Sequence, residues 1–211
     1  MQAVETQKLI LYHTDLRGQW PEEAANALAA RLPYARRLAL RRLALPRLRG
    51  AHRPSLAGIA LAVRALGELL RRRISAGEIR FGLGEKPRLV RTAAPLAAEA
   101  TVDFSISHSG PWVACAALAG GSVGLDLEMG TDERIADWVA LEATLKASGH
   151  GLRAVREFRE RVLRRGAASA HGTAWRMLRL DGFAGASACV VCDRDVAAIE
   201  TRHVALAELF D

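Results

Sequence analysis

The chain has 211 residues, a formal net charge of +7 and an apolar share of 50%. This length suits one large domain or two small ones, and the apolar share is sufficient for a buried core. No apolar run reaches the roughly 18–20 residues of a membrane-spanning helix, and the first ten residues lack the pattern of a secretory signal. We therefore expect a cytoplasmic, monomeric protein that does not span a membrane.

The three cysteines do not form the basis of a disulfide framework, because their number is small and odd. Cys189 and Cys192 have the C-x-x-C spacing, but they lie in the apolar segment SACVVC, which is typical of a strand. Residues three apart on a strand point to opposite faces, and no second cysteine pair completes a zinc site. We therefore expect small, buried side chains at both positions.

The pattern of apolar residues predicts an α+β protein with antiparallel strands. In chain order, the predicted elements are a strand at 8–13, helices at 22–32, 35–45 and 55–70, a short strand at 78–81, strands at 102–107, 112–118 and 122–128, helices at 132–148 and 155–165, and strands at 173–180 and 186–192. The last two strands form a predicted hairpin that turns at Asp181-Gly182. Segments 92–100 and 197–209 have no clear pattern.

Two carboxylates lie two residues apart in the predicted strand VGLDLE, so Asp126 and Glu128 share one face. Adjacent carboxylates repel each other unless a cation joins them, and Mg²⁺ prefers such oxygen ligands. In the helical segment WVALEATLK, Trp138, Glu142 and Lys146 follow each other at intervals of four and line one face. Taken singly, the first pair also suits a solvated strand end, and the second suits an ordinary surface ion pair.

Two further segments have features of phosphate sites. GEKPRL places Lys86 before Pro87 in a loop, which presents a cation on a restricted backbone. FSISHSG ends a strand with Ser107, His108 and Ser109, whose short polar side chains suit phosphate oxygens. Each segment taken alone is also typical of an ordinary loop.

Together and in this order, the four segments resemble the Sfp-type 4'-phosphopantetheinyl transferases. The family pattern runs G-K-P, F-N-I-S-H-S, V-G-[IV]-D-[IV]-E and W-x-x-K-E-A-x-x-K. This chain has GEKP, FSISHS, VGLDLE and WVALEATLK between Gly84 and Lys146. The ordered set is specific, whereas no single segment is.

The resemblance implies a pseudo-twofold arrangement of two similar α/β subdomains. Residues 1–119 would form the subdomain on the coenzyme A nucleotide side, and 120–211 would supply the metal and catalytic residues. The implied activity is transfer of 4'-phosphopantetheine from coenzyme A to a serine of an acyl or peptidyl carrier protein, with release of adenosine 3',5'-bisphosphate. The implied cofactor is Mg²⁺, with Mn²⁺ as a substitute.

The resemblance also implies a role for each matching residue. The metal ligands would be Asp126, Glu128 and Glu142. Glu142 or a metal-bound water would remove the serine proton, and Lys146 would lie near the diphosphate. The positions that would hold the nucleotide end of coenzyme A are Arg53, Lys86, Pro87, Ser107 and His108.

The chain departs from the family pattern at three places. Leu141 replaces the lysine before the glutamate, Ser105 replaces an asparagine, and only 13 residues separate Glu128 from Glu142 where the usual connection is much longer. Two alternatives therefore stay open. One is a relative that binds coenzyme A or a carrier without turnover. The other is a nucleic-acid-binding protein that uses the basic stretch 31–53, which leaves the carboxylates unexplained.

Overall fold

The structure, a computed structural model, describes residues 8–43, 52–82, 85–90, 102–150, 169–170 and 173–210. The predicted helix 155–165 and the segment 92–100 lie outside these residues. The helices are α1 (Glu22–Ala30), α2 (Tyr34–Leu43), α3 (Arg53–Leu70) and α4 (Glu133–Ser148). The strands are β1 (Leu9–Asp15), β2 (Ile79–Arg80), β3 (Arg88–Leu89), β4 (Val102–Ser109), β5 (Trp112–Ala119), β6 (Val123–Met129), β7 (Ser169–Ala170), β8 (Thr173–Ala174), β9 (Arg176–Leu180), β10 (Ala186–Cys192) and β11 (Ile199–His203). The α+β class predicted from the sequence is confirmed at this level.

Two main sheets organise the described part of the chain. The first has the strand order β11-β1-β5-β4, in which β11 is parallel to β1 and the other neighbours are antiparallel. The second has the order β6-β10-β9 and is antiparallel throughout. Two short pairs, β2-β3 and β7-β8, complete the strands. The strand order β1-β5-β4 is matched by β6-β10-β9, and a helix follows the first strand of each set.

The two sheets face each other, with helices on their outer sides. Strand β5 illustrates the alternation: Ala114 and Ala116 lie in the core between the sheets, whereas Cys115 and Ala117 lie in the core under α3. On the second sheet, α4 covers the face opposite the first sheet, where it packs on Trp175. The layers are therefore helix, sheet, sheet and helix, with apolar cores in all three spaces.

The cysteine prediction is confirmed. Cys189 and Cys192 are free and buried. Cys189 belongs to the core under α4, and Cys192 belongs to the core between the sheets. They therefore point to opposite faces of β10, as strand geometry requires.

The segment 197–209, which had no clear sequence pattern, contains β11. This strand pairs in parallel with β1, from Leu9 opposite Ile199 to His13 opposite His203. The end of the described chain thus joins the sheet of the first half. The division into subdomains 1–119 and 120–211 stays a prediction. Although β11 belongs to 120–211 in sequence, it lies in the sheet formed by β1, β5 and β4.

A cluster of charged groups holds β11 to β1 and α3. Glu68 accepts hydrogen bonds from Lys8 (2.9 Å) and from the hydroxyl of Tyr12 (2.7 Å), and Arg202 of β11 lies 3.5 Å from the same carboxylate. Burial acts to raise the pKa of Glu68, but the hydrogen bonds from Lys8 and Tyr12 outweigh it, so the pKa lies below its ordinary value.

The position of α4 depends on a close approach to β6 at Gly124. A Cβ atom at this position would lie 1.9 Å from the carbonyl oxygen of Ala143 and 2.5 Å from the amide nitrogen of Ala147. Both atoms belong to the helix backbone and cannot rotate away. The helix begins at Glu133, only a few residues after the end of β6. The side chain of Asp132 caps it by accepting hydrogen bonds from two backbone N–H groups of the first turn.

Replacing Gly124 by alanine is expected to lower the free energy of unfolding by about 3 kcal/mol, because the helix must move away from the strand. Gly182→Ala is the control: its φ is +94°, but nothing lies within 4 Å of the added carbon, so only the conformational cost of about 1 kcal/mol applies. Urea unfolding of both variants measures the difference. Equal losses would contradict the close contact.

The Glu68 cluster predicts a pH dependence of stability. A carboxyl whose folded pKa is depressed stabilises the protein above its unfolded pKa, and this contribution disappears as pH falls through the folded pKa. Glu68→Gln is therefore expected to flatten the loss of unfolding free energy between about pH 6 and pH 3. Urea unfolding of both proteins across this range tests it, and parallel curves would refute it.

Candidate active site

The edge strands β4 and β6 of the two sheets lie side by side and are joined by side chains. Ser107 donates a hydrogen bond to Asp126 Oδ1 at 2.9 Å, and Ser109 donates one to Glu128 Oε2 at 2.8 Å. The alternation of β4 explains this, because Phe104 and Ile106 pack into the core under α3 and the odd-numbered residues face the other way. The sequence placed Ser109 beside Ser107, but its bond to Glu128 was not predicted.

Asp126 is the most buried charged group of this region, with 2% of its surface exposed. One carboxylate oxygen, Oδ1, accepts from Ser107 and from Lys146. The other, Oδ2, is buried without a hydrogen-bond partner. A carboxylate oxygen that is buried without a hydrogen bond lowers the stability of the folded protein unless a cation or a donor approaches it.

Lys146 of α4 supplies the positive charge of the site. Its ammonium donates to Asp126 Oδ1 at 2.6 Å and to Ser107 Oγ at 3.3 Å, and it lies 3.5 Å from Glu142 Oε1. The prediction that Glu142 and Lys146 share one face of the helix is confirmed, because their side chains approach each other to 3.5 Å on α4. Trp138, one turn earlier, is 40% exposed.

The three predicted carboxylates lie within electrostatic range of each other. Burial raises the pKa of Glu142, and the negative charge of Asp126 raises it further, with a smaller contribution from Glu128. The charge of Lys146 acts in the opposite direction. Asp126 and Glu142 therefore share one ammonium, with Glu128 as a third carboxylate in electrostatic range, and this excess of negative charge favours an additional cation.

The metal site itself stays a prediction. Among the residues that the structure describes, no group of three His, Cys, Asp or Glu side chains forms a metal-binding cluster. The donor set nevertheless suits a hard divalent ion, because the unpartnered Oδ2 of Asp126 offers a free oxygen and Glu142 and Glu128 carry the nearest further carboxylates.

His108 lies on the exposed side of β4, next to these groups. Enough protein atoms surround its imidazole that desolvation lowers its pKa, and the ammonium of Lys146 lowers it further. The carboxylates of Glu128 and Asp126 act to raise it. A neutral imidazole beside the site can donate or accept a hydrogen bond but adds no permanent charge.

Lys86 and Pro87 lie beside the other end of β4, and Lys86 is largely buried. Its ammonium donates to Asp103 Oδ2 and to the carbonyl oxygen of Val123, and 13% of its side chain is exposed. Burial lowers the pKa of Lys86, and the charge of Asp103 partly offsets this effect. The predicted contact between Lys86 and a nucleotide would require these bonds to be exchanged.

Arg53 is the first residue of α3. Its guanidinium lies over the ring of Trp20 and donates to Glu22 Oε1 at 3.1 Å, which ties α3 to α1. Within the described ranges, none of its hydrogen bonds reaches β4 or β6. The structure therefore does not bring Arg53 into contact with the carboxylates, and its predicted role at a nucleotide stays a prediction.

The three departures from the family pattern each have a defined place in the structure. Leu141 is 3% exposed and packs in the core between α4 and the second sheet, where a lysine would be buried. Ser105 is 2% exposed on the side of β4 that faces β6. The shortened connection after β6 leads through Gly130, whose φ is +115°, directly to the cap of α4 at Asp132.

A cavity of 620 Å³ lies between α4 and the strands β9 and β10, and its lining does not include Asp126, Glu128 or Glu142. Ser187 and Cys189 line it, and they pair directly with Glu128 and Asp126 across β6 and β10. Its wall also includes Met177 and Arg179. The cavity is large enough for part of an organic ligand.

Comparison with protein-family models found no match, and comparison with curated proteins found none either. Within the described ranges, no helix is both long and apolar enough to cross a membrane.

Replacing Lys146 by methionine is expected to lower the free energy of unfolding by about 2 kcal/mol, because Asp126 then stays buried with only Ser107 as a donor. Adding Asp126→Asn should recover part of this loss, since the buried charge is removed. Lys8→Met, at a lysine whose side chain is 42% exposed, serves as the matched control and should cost much less. Urea unfolding measures all four proteins. Equal losses for the two lysine variants would exclude a buried ion pair of this strength.

Proposed function

We propose that this protein transfers 4'-phosphopantetheine from coenzyme A to a serine of an acyl or peptidyl carrier protein. The observation that carries the proposal is the convergence of Asp126, Glu142 and Lys146 with Ser107 at one place between β4, β6 and α4. These residues come from three of the four motifs that resemble the Sfp-type transferases.

The fold supports the same proposal. In each half, the first strand of the sheet is followed by helical structure and later by two further strands of the same sheet, of which the later one lies in the middle: β1-β5-β4 and β6-β10-β9. We interpret this repetition as the pseudo-twofold arrangement of the transferase family. Under this interpretation the site lies where the edge strands of the two halves meet.

The protein's own side chains have distinct roles in the proposed reaction. Ser107 and His108 would donate hydrogen bonds to phosphate oxygens at the exposed end of β4. Lys146 would turn from Asp126 toward the diphosphate and stabilise the charge that develops on the departing phosphate. Glu142, whose pKa is raised by burial, is suited to accept the proton of the attacking serine. The β-phosphate of coenzyme A passes to the serine oxygen, and adenosine 3',5'-bisphosphate leaves.

Asp126, Glu128 and Glu142 would hold a divalent ion, Mg²⁺ or Mn²⁺, with the unpartnered Oδ2 of Asp126 as one ligand. Such an ion, when bound, neutralises diphosphate charge and so supplies most of the electrophilic assistance. We assign the pantetheine arm to the cavity between α4 and β9–β10, because its wall strand β10 pairs with β6, which carries Asp126 and Glu128. A carrier protein with an acidic recognition helix would match the net positive charge of this chain.

One observation favours a second candidate, a relative that binds coenzyme A or a carrier without turnover. The ammonium of Lys146 bonds to Asp126 and lies close to Glu142, so the carboxylates already share a cation. A protein that kept this arrangement permanently would leave no room for a divalent ion. The nucleic-acid alternative has weaker support, because two arginines of α2, Arg36 and Arg37, stack on Phe81 and Tyr34 of the same chain.

The decisive experiment is mass spectrometry of apo acyl and peptidyl carrier proteins incubated with this protein, coenzyme A and Mg²⁺. We expect a mass gain of one phosphopantetheine on the carrier serine. Asp126→Ala and Glu142→Ala should each reduce the transfer rate by at least about a thousandfold, because both remove charge at the reacting phosphates.

Glu23→Ala is the matched control for these variants, since this glutamate is exposed in the first turn of α1 and is not one of the proposed site residues. It should transfer at the rate of the unmodified protein. Circular dichroism checks that all variants are folded. Normal transfer by both site variants would refute the site, and binding of coenzyme A without transfer to any carrier would favour the second candidate.

A further inference from the structure

The end of β4 opposite to the carboxylates contains a second junction between the two sheets. Asp103 accepts a hydrogen bond from the backbone N–H of Val123 at 2.8 Å and another from the ammonium of Lys86. Lys86 also donates to the carbonyl oxygen of Val123. The first residue of β6 is thus held through both of its backbone groups by two charged side chains.

This junction lies in line with the site. Asp103, Ser107 and Ser109 all point from the same side of β4, and their partners on β6 are Val123, Asp126 and Glu128 in the same order. No backbone ladder joins β4 to β6 in the described sheets, since the two strands belong to different sheets. The side-chain contacts therefore set how far β6 is displaced along β4.

Lys86 is in a poor position to bind a ligand directly. Only 13% of its side chain is exposed, and its ammonium bonds both Asp103 and Val123. Removing this cation would take one donor from the carbonyl oxygen of Val123 and leave the carboxylate of Asp103 with only the N–H of Val123, which is costly in a partly buried place. Asp126 lies only three residues from Val123, about 10 Å along the strand, so a displacement at one end is transmitted to the other.

We infer that Lys86 is a positioning residue, which together with Asp103 fixes β6 against β4 at the register that brings Ser107 and Ser109 to Asp126 and Glu128. The inference deepens the proposed function and rests on it only where catalysis is measured. It gives the lysine of the GEKP segment a different role from the nucleotide contact that the sequence predicts.

The first test needs no activity. Amide ¹H–¹⁵N chemical shifts of residues 107–109 and 126–128 are compared in the unmodified protein, Lys86→Met and Asp103→Asn. We expect both variants to shift the same amides at both strands. Lys8→Met, the same substitution at an exposed lysine that directly precedes β1, should leave these amide shifts unchanged. Unmoved amides in folded Lys86→Met would overturn the inference.

The second test separates positioning from direct contact. If Lys86 positions the site, Lys86→Met should lower kcat by at least about tenfold and change KM for coenzyme A by less than about twofold. A large rise in KM with kcat unchanged would mean that Lys86 contacts coenzyme A, and the inference would be wrong.

The two tests fail separately. If the unmodified protein modifies no carrier, the proposed function fails, and the amide shifts still decide whether Lys86 sets the register. If Lys86→Met does not fold, Asp103→Asn replaces it in both measurements, because it removes the charge that pairs with Lys86 and changes no atom of the lysine. Unmoved amides in Asp103→Asn would then overturn the inference.

Discussion

The close approach of α4 to β6 at Gly124 is the constraint on which the rest of the site depends. A helix backbone that lies against the strand without an intervening side chain brings the turn from Ala143 to Ala147 directly against Gly124. Lys146 can therefore reach Asp126 across a short distance, and Glu142 lies on the same side. With a larger residue at position 124, α4 would stand farther from the sheet, and a side chain of the length of lysine would no longer satisfy the buried carboxylate.

The burial of Asp126 makes this contact energetically important. An ionised carboxylate with 2% exposure needs compensating donors, and the structure provides two, one from β4 and one from α4. The buried charge thus links both sheets and the helix at a single point. A divalent ion at the same place would substitute for part of this compensation and would release Lys146 for another anion. Under the proposed function, the requirement that stabilises the protein alone would also favour binding of a diphosphate with its metal.

The sequence predicted those parts of the structure that follow from periodicity. The strand carrying Asp126 and the helix carrying Glu142 and Lys146 lie where the pattern placed them, since alternation and four-residue spacing are local properties. β11 was not predicted, because it pairs in parallel with a strand almost 190 residues earlier and its residues IETRH have no apolar alternation. The burial of Leu141 was not predicted either, because it depends on which face of α4 packs against the second sheet.

The register between β4 and β6 is the clearest case of information that a single sequence does not reveal. Asp103, Ser105, Ser107 and Ser109 alternate with apolar residues, so a polar face of β4 was visible, but nothing local indicated that it meets another sheet. The meaning of Lys86 changes for the same reason. As a sequence motif, a lysine before a proline suggests an exposed cation for phosphate. In the folded chain the lysine bonds Asp103 and Val123, and its positive charge is used where the two sheets meet. Under the proposed function, Lys86 would serve the phosphate site without touching phosphate, by fixing the strands from which the site is built.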